Sequence, residues 1–363
     1  MKMYNFNSGP SILPNEVLQQ ASEAILDFDN IGLSILEIGH RSDWFVQVME
    51  EARSLVKELM QLDDSYEVLY LHGGATTQFM QVPINLLDEN ETAAYCDNGI
   101  WGSKAIKEAK LFGNVHIASS SKDQNHTYIP KELSVPQHVK YLHYTTNNTV
   151  EGTQWHFIPR ANVPLIADMS SDIFSREISF SEFSLIYAGA QKNVGAAGVT
   201  IVVIKKDILG KIKRIIPSIL DYRNHIEAKS LLNTPPVFAV YVSMLTLRWI
   251  KENGGLIEME KRANERADLF YETLDSLDAF EGKVDKQDRS LMNATFITKN
   301  PEHEKLFLDE CKQNGMVGIK GHRSVGGLRV SMYNAMPINT VQALCDLMKD
   351  FSNRYADALY KAI

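Results

Sequence analysis

The chain has 363 residues, of which 44% are hydrophobic, 23% charged and 9% aromatic. This composition is typical of globular proteins with a substantial core, and it excludes collagen-like, intrinsically disordered and disulfide-scaffold proteins. The 45 acidic residues outnumber the 37 basic ones, which gives a formal net charge of −8. An acidic surface disfavours nucleic acid as a partner and favours a small-molecule enzyme or a protein-binding module.

The cysteines indicate a reducing environment. Cys96, Cys311 and Cys345 lie far apart and form no C-x-x-C pair, and the ten histidines include no H-E-x-x-H motif, so a metal site is not expected. No apolar signal core follows the first residues, and no run of 18 apolar residues occurs. We therefore expect a cytoplasmic protein that does not cross a membrane.

In the first part of the chain, helical and strand-like patterns alternate. Pro14 precedes a predicted helix at 16–28, and the apolar residues of 44–61 follow the spacing of an amphipathic helix. Short apolar runs predict strands at 67–71, 92–96, 139–144, 164–168, 184–189 and 199–205, with helices near 77–87 and 101–112. Because such strands need crossover connections, the pattern predicts an α/β fold with a mainly parallel sheet.

The pattern changes after the Gly254-Gly255 pair. The remaining residues predict a long charged helix at 256–277, a strand at 293–298, a helix at 302–314, a strand at 327–333 and a final helix at about 337–360. We therefore expect a large domain at 15–255 and a smaller α+β domain at 256–363, with residues 1–14 packed against the smaller one.

A glycine-rich segment, HGGATTQ at 72–78, follows the first predicted strand and opens a helix. Its small residues let backbone N–H groups face an anion, and the helix N-terminus adds partial positive charge. The segment lacks the P-loop lysine and the spacing of a dinucleotide fingerprint. It is therefore either a phosphate-binding turn or an ordinary tight turn between a strand and a helix.

Three further residues follow predicted strands and have two interpretations each. Lys192 lies among small residues and is either a nucleophile with a lowered pKa or a solvated loop lysine. Asp168 ends an apolar strand and either holds a protonated ring nitrogen or caps the following turn. Trp101, in a loop of small residues, either stacks on a planar cofactor or fills the core.

In this order along the chain, these features resemble the class-V, fold-type I pyridoxal phosphate-dependent aminotransferases, and within them the phosphoserine aminotransferase family. That fold has a large domain with a mainly parallel, seven-stranded-type sheet and a smaller C-terminal domain. The matching segments span nearly the whole chain: 5–14 (NFNSGPSILP), 37–42 (EIGHRS), 71–79 (LHGGATTQF), 97–105 (DNGIWGSKA), 147–152 (NNTVEG), 167–173 (ADMSSDI), 187–198 (YAGAQKNVGAAG), 231–236 (LLNTPP) and 319–337 (IKGHRSVGGLRVSMYNAMP).

The resemblance implies pyridoxal 5′-phosphate as the cofactor and Lys192 as the catalytic residue, which binds the cofactor aldehyde and carries a proton. It also implies that Asp168 keeps the ring nitrogen protonated and that Trp101 stacks on the ring. The other implied cofactor contacts are Ala75, Thr76 and Gln191 at the phosphate, Thr149 on the ring hydroxyl side, and Asn233 and Thr234 at the phosphate in the neighbouring subunit. These last two imply a homodimer with shared sites; the alternative for 233–236 is an unstructured Pro-rich loop.

The implied substrates each carry two separated anionic groups, so a site that serves both needs two cationic clamps. Arg329 resembles the arginine that binds the α-carboxylate. Two His-Arg pairs resemble the residues around the distal anion, the second pair coming from the partner subunit: His40 with Arg41, and His322 with Arg323. The alternative for either pair is a surface loop.

By this resemblance the chain transfers an amino group between L-glutamate and 3-phosphohydroxypyruvate, giving O-phospho-L-serine and 2-oxoglutarate in serine biosynthesis. The phosphorylated hydroxythreonine of vitamin B6 synthesis is a further implied substrate. One departure concerns phosphate affinity, because many bacterial members carry an arginine in the glycine-rich turn where this chain has Thr76. One alternative is an alanine–glyoxylate or serine–pyruvate aminotransferase, whose substrates have no distal dianion for the His-Arg pairs to bind. The other is a non-catalytic phosphometabolite-binding protein, which would not need Lys192 and Asp168.

Overall fold

The computed structural model describes residues 2–360, with side chains through Tyr355, so the last three residues of the predicted C-terminal domain lie outside the described residues. The helices are α1 (Asn15–Leu26), α2 (Asp43–Leu59), α3 (Gly74–Leu86), α4 (Ile100–Ala109), α5 (Tyr222–Glu227), α6 (Val237–Glu252), α7 (Gly255–Ser276), α8 (Glu302–Gln313) and α9 (Ile338–Tyr360). The strands are β1 (Tyr4–Asn5), β2 (Tyr66–Leu71), β3 (Thr92–Asp97), β4 (Asn114–Ser120), β5 (Leu142–Thr145), β6 (Asn147–Asn148), β7 (Thr153–Gln154), β8 (Leu165–Asp168), β9 (Leu185–Gly189), β10 (Thr200–Lys205), β11 (Phe280–Gly282), β12 (Asn293–Thr298), β13 (Met316–Val317) and β14 (Leu328–Ser331).

A seven-stranded sheet forms the centre of the larger part of the molecule. Its strand order is β2-β10-β9-β8-β5-β3-β4, and only β10 runs antiparallel to its neighbours. The central strands, such as β9 and β10, are buried on both faces, which explains their nearly continuous apolar sequences. The predicted α/β fold with a mainly parallel sheet is therefore confirmed.

Five helices and strands of this part were absent from the sequence prediction: the short elements β6, β7 and α5, and the longer β4 and α6. Helix α6 is apolar on almost its whole circumference because it packs between α1 and α2, so it lacks the periodicity of an amphipathic helix. Strand β4 lies at the edge of the sheet and is rich in polar residues, NVHIASS, so it lacks an apolar run. Every helix and strand that the sequence predicted is present, and its bounds lie within three residues of the predicted ones.

A second, three-stranded sheet of order β11-β12-β14 lies in the C-terminal part, where α7 packs against α9. The N-terminal segment joins it, since β1 pairs in parallel with β13 and Phe6 is fully buried among its apolar residues. Helix α7 begins at Gly255, where the domain boundary is predicted. Among the described residues, no helix is long and apolar enough to cross a membrane.

The carboxyl ends of the central strands bring several polar residues to one edge of the large sheet. Thr145 ends β5 and lies opposite Asp168, which ends β8, and Asp168 lies opposite Tyr187 of β9. Strand β9 ends at Gly189, just before the loop that carries Lys192. Ligands of open α/β sheets bind at this edge, and the candidate site lies there.

Candidate active site

A cavity of about 380 Å³ opens at this edge of the sheet, and most of the predicted site residues line it. The predicted residues in its wall are Ala75, Thr76, Trp101, Thr149, Asp168, Gln191, Lys192, His322 and Arg329. The wall therefore combines strand ends of the large sheet with a strand of the small sheet and its preceding loop. Ser8 and Gly9 of the N-terminal segment complete it.

Lys192 is held at the base of the cavity by the N-terminal segment and by Thr149. The Ser11 hydroxyl donates to the carbonyl of Lys192 over 2.7 Å, and the Nζ of Lys192 donates to the Oγ1 of Thr149 over 2.8 Å. Burial lowers the pKa of the Lys192 amine to about 8, and the nearby carboxylate of Asp168 opposes this effect. A fraction of the amine is therefore uncharged near neutral pH, as a nucleophile or base requires.

Asp168 is 4% exposed, and its orientation is fixed by Ser170. The Oδ1 of Asp168 accepts hydrogen bonds from the backbone N–H of Ser170, at 2.9 Å, and from its hydroxyl, at 2.6 Å. Both bonds reach Oδ1, so Oδ2 remains for a ligand in the cavity. Burial raises the pKa of Asp168 because it disfavours the charged form of the carboxyl group. A cationic donor bound in the cavity would oppose this effect and stabilise the charged form.

The glycine-rich turn places the start of α3 at the cavity. Gly73 has φ +94° and caps the helix in the left-handed region, where a Cβ would overlap the side chain of Thr77. No side chain caps this helix, so the N–H groups of its first turn, including those of Ala75 and Thr76, are available to an anion. This geometry suits a phosphate group.

Trp101 stands in the first turn of α4, and a buried carboxylate, that of Glu151, caps the start of this helix. The Oε1 of Glu151 accepts a hydrogen bond from the backbone N–H of Ile100 over 2.8 Å, and burial raises the pKa of Glu151. Sequence reasoning missed Glu151, although it lies in the segment NNTVEG. The Nζ of Lys104 lies 4.3 Å from the centroid of the Trp101 ring, on the same helix.

Arg329 is a buried cation whose hydrogen bonds go to neutral oxygens. Its guanidinium donates to the Ser8 hydroxyl over 2.7 Å and to the carbonyl of Thr149 over 3.3 Å. Burial lowers the pKa of Arg329. A buried cation without a close carboxylate is costly unless an anion binds to it, so Arg329 points to an anionic ligand in the cavity.

Pyridoxal phosphate has a phosphate, an aldehyde and a ring nitrogen, and the cavity offers a group for each. The start of α3 suits the phosphate, the amine of Lys192 suits the aldehyde, and the acid of Asp168 suits the nitrogen. Two further polar atoms of the wall, the Nε1 of Trp101 and the Oγ1 of Thr145, are buried without a partner among the described residues. The residues present therefore fit this cofactor.

Five predicted site residues lie outside the wall: His40, Arg41, Asn233, Thr234 and Arg323. Arg41, Thr234 and Arg323 are exposed, and the Nδ2 of Asn233 lies 3.3 Å from the Nδ1 of His72.

His322, which the resemblance assigns to a partner's site, lines the cavity of its own chain. Its Nδ1 accepts from the backbone N–H of Ser324 over 3.2 Å, which leaves Nε2 as a donor in the neutral ring.

Comparison with known families gives a consistent result over the whole chain. Residues 3–344 match the family model described as aminotransferase class-V. The phosphoserine aminotransferase of Flavobacterium johnsoniae is 56% identical over 355 residues, which cover 98% of this chain and 100% of that protein. That of Phocaeicola vulgatus is 52% identical over 355 residues, which cover 97% and 99%.

Solved structures agree. The structure of phosphoserine aminotransferase from Bacillus circulans subsp. alkalophilus has a TM-score of 0.95 and 43% identity, covering 98% of this chain and 99% of that one. The pyridoxal phosphate-bound phosphoserine aminotransferase of Trichomonas vaginalis has a TM-score of 0.91 and 33% identity, with coverage of 96% and 100%. An alanine–glyoxylate aminotransferase from Nostoc, at 16% identity and a TM-score of 0.78, shares the fold.

Proposed function

We infer the reaction from one premise: the chain belongs to the class-V aminotransferase family, and phosphoserine aminotransferases are among its relatives along the whole chain. Membership confirms the predicted enzyme class, fold type I and the pyridoxal phosphate cofactor.

We propose that the enzyme transfers the amino group of L-glutamate to 3-phosphohydroxypyruvate, giving O-phospho-L-serine and 2-oxoglutarate, in the serine biosynthesis of the cytoplasm. The observation that carries this proposal is the buried Arg329, which faces the same cavity as the amine of Lys192.

Lys192 supplies both the amine that binds the cofactor aldehyde and the base that moves the proton of the substrate α-carbon. With a pKa of about 8, about a tenth of its amine is uncharged at pH 7, against less than about a thousandth for an ordinary lysine. When bound, pyridoxal phosphate supplies an electron-poor ring that stores the electron pair left when the substrate α-carbon loses its proton. The Nζ of Lys192 takes up that proton and returns it, and Thr149 orients the amine.

Asp168 is the buried carboxylate that pairs with the cationic ring nitrogen of the cofactor. Because Ser170 occupies its Oδ1, its Oδ2 would be the atom that accepts a hydrogen bond from a cationic ring N–H of the cofactor. The low exposure of Asp168 strengthens that ion pair, since few water molecules compete for it. The first turn of α3 and the side chain of Gln191 hold the phosphate end of the cofactor.

Arg329 binds the α-carboxylate that donor and acceptor share. Its planar guanidinium gives two parallel hydrogen bonds to a carboxylate, and Ser8 and Thr149 hold it in the orientation that this requires. Since both substrates carry an α-carboxylate, one arginine serves both halves of the reaction.

The distal anion of the substrate needs the second clamp, for which His322 stands in the wall. We propose that His40, Arg41, Asn233 and Thr234 reach the cavity of a second copy of the chain, because they lie outside the cavity of their own. For His40 and Arg41 this reverses the expectation from the resemblance, which took His322 and Arg323 as the pair from the partner. Arg323 neighbours His322 in sequence, and we assign it to the same shared site. The exposed apolar side chains of Leu36 and Trp44, which flank His40 and Arg41 in sequence, support such an interface.

A mixing experiment tests the shared site. Lys192→Ala homodimers lack the reacting amine, and Arg41→Ala homodimers lack a charge for the distal anion, so we expect reduced activity from both at acceptor concentrations below KM. A hybrid dimer has one site in which both residues are intact, so mixing under conditions of subunit exchange restores part of the activity. Monomers in sedimentation, or mixtures no more active than their parents, would contradict the shared homodimer.

We also propose that the two parts of the fold are domains that divide between residues 255 and 256, with the N-terminal segment attached to the second. Two separate hydrophobic clusters support this division, one around α1, α2 and α6 and one around α9 and the small sheet. A second phosphorylated substrate, the hydroxythreonine derivative of vitamin B6 synthesis, fits the same pair of clamps.

A coupled assay tests the reaction. We expect efficient amino transfer from L-glutamate to 3-phosphohydroxypyruvate, slower transfer to hydroxypyruvate and pyruvate, and measurable transfer to the phosphorylated hydroxythreonine precursor. Lys211→Ala, an exposed lysine away from the cavity, is the control variant. Preference for glyoxylate or pyruvate over the phosphorylated acceptor would contradict the proposed substrate.

A further inference from the structure

Lys104 is an exposed lysine beside the cavity that the sequence did not single out. It stands one turn into α4, and its Nζ lies 4.3 Å from the centroid of the Trp101 ring. Among residues 2–355, whose side chains the structure describes, no carboxylate lies within 4.0 Å of this ammonium group. Its charge is therefore available to a ligand.

Lys104 acts on two residues of the cavity wall, one by contact and one by its charge. Contact with the Trp101 ring orders the flexible lysine stem, because the face of an aromatic ring attracts a cation. The second residue is His322, whose pKa is lowered by burial and by the charges of Arg329, Arg323 and Lys104. Lys104 thus belongs to the positive field at this mouth of the cavity.

This field lies where the chain needs an additional cation. The glycine-rich turn carries Thr76 and so contributes no side-chain charge to the cavity. A phosphate dianion binds most tightly where several cations converge, and a lysine provides a compact charge on a long stem. Arg329 is already bonded to Ser8 and Thr149 deep in the cavity, where it serves the α-carboxylate.

We propose that Lys104 is a specificity-determining residue, which binds the distal phosphate of the acceptor together with His322 from the Trp101 side of the cavity. The inference rests on the proposed function, since it takes the distal group to be a phosphate. The cation–π contact holds Lys104 at the mouth when no substrate is bound, and the ammonium group turns to the phosphate when substrate enters.

The test compares Lys104→Met, Lys104→Arg and Lys107→Met in the holoenzyme. Lys107 is an exposed lysine on the same helix, and we place it outside the site. For Lys104→Met we expect the KM for 3-phosphohydroxypyruvate to rise about fivefold, with the KM for pyruvate unchanged. The dissociation constant of O-phospho-L-serine, measured by the change in cofactor absorbance, rises by a similar factor.

Lys104→Arg keeps the charge and retains most of the affinity, whereas Lys107→Met resembles the parent. Because the charge is exposed, raising the ionic strength narrows the difference between Lys104→Met and the parent. The unbound holoenzyme spectrum stays the same in all three variants, which shows that Trp101 and the cofactor are undisturbed.

Two results overturn the inference. If the KM for 3-phosphohydroxypyruvate and the dissociation constant of O-phospho-L-serine were the same in Lys104→Met and the parent, Lys104 would not bind the phosphate. An equal loss for phosphorylated and plain acceptors would mean that Lys104 acts through Trp101. Failure of the proposed function looks different, because the parent enzyme itself would then show no preference for the phosphorylated acceptor.

Discussion

The inner and outer parts of the cavity are built in different ways. In the inner part, Lys192, Asp168 and Arg329 are each held by hydrogen bonds to neighbouring groups of the same chain, at 2.6–3.3 Å. We define the outer part as His322 of the wall together with Arg41 and Arg323, which lie outside the wall. Both arginines are exposed, and the hydrogen bonds of the His322 ring stay within its own loop. We therefore expect the buried part to fix the type of reaction and the exposed part to select the substrate.

The largest expected effect lies in the inner part. Lys192→Ala removes the only side-chain amine that the described residues contribute to the cavity wall, so we expect kcat to fall by at least about 10³-fold. The yellow absorbance of lysine-bound cofactor disappears at the same time. Lys211→Ala is the matched control and keeps both activity and absorbance. A retained absorbance band in Lys192→Ala would place the cofactor on another residue.

Loss of the buried arginine comes next. Arg329→Ala leaves the substrate α-carboxylate without its partner, which costs about 2–5 kcal/mol in kcat/KM. The loss applies to L-glutamate and to the acceptor alike, because both carry this group. Arg329→Lys keeps the charge without the fork of two donors, and we expect it to recover only part of the loss. An effect on one substrate alone would contradict the shared role.

A pH experiment separates the two charges of the inner part. Capture of pyridoxal phosphate by the apoenzyme needs the uncharged amine of Lys192, whose pKa is lowered to about 8. The capture rate therefore falls about tenfold per pH unit below pH 8 and levels off above it. Asp168 raises this pKa, so in Asp168→Asn the inflection moves to lower pH. An unmoved inflection would mean that Asp168 does not act on the amine.

The smallest effect is expected in the outer part. Arg323→Ala removes an exposed charge, so we expect the KM for 3-phosphohydroxypyruvate to rise about fivefold with an unchanged cofactor spectrum. Lys305→Ala, an exposed cation on α8, serves as the control. If the change in Arg323→Ala matched that of Arg329→Ala, the distinction between an inner and an outer part would be wrong.

Residues of the inner part could be predicted because their signal is local. Asp168 ends an apolar strand, Lys192 comes three residues after the end of another, and the glycines at 73 and 74 mark the turn into α3. Parallel strands bring such ends to one edge of the sheet, so no long-range information is needed. The resemblance added the role of each residue, and the cavity brings most of them together.

Other features could not be predicted from local patterns. The bond between Ser8 and Arg329 joins residues 321 positions apart, and that between Glu151 and Ile100 joins residues 51 apart. Helix α6 lost its periodic signal because it is buried on nearly all sides. The position of His322 depends on how the loop before β14 folds over the cavity, which short sequence motifs do not encode.

The pairing of β1 with β13 has a consequence for synthesis. Residues 4–5 leave the ribosome more than 300 residues before their partners at 316–317, and Ser8 waits equally long for Arg329. At about 5–20 residues per second, the N-terminal segment spends tens of seconds without its native neighbours. The β1–β13 pairing and the bond between Ser8 and Arg329 therefore form only while the last quarter of the chain emerges, and the cavity wall is complete only then.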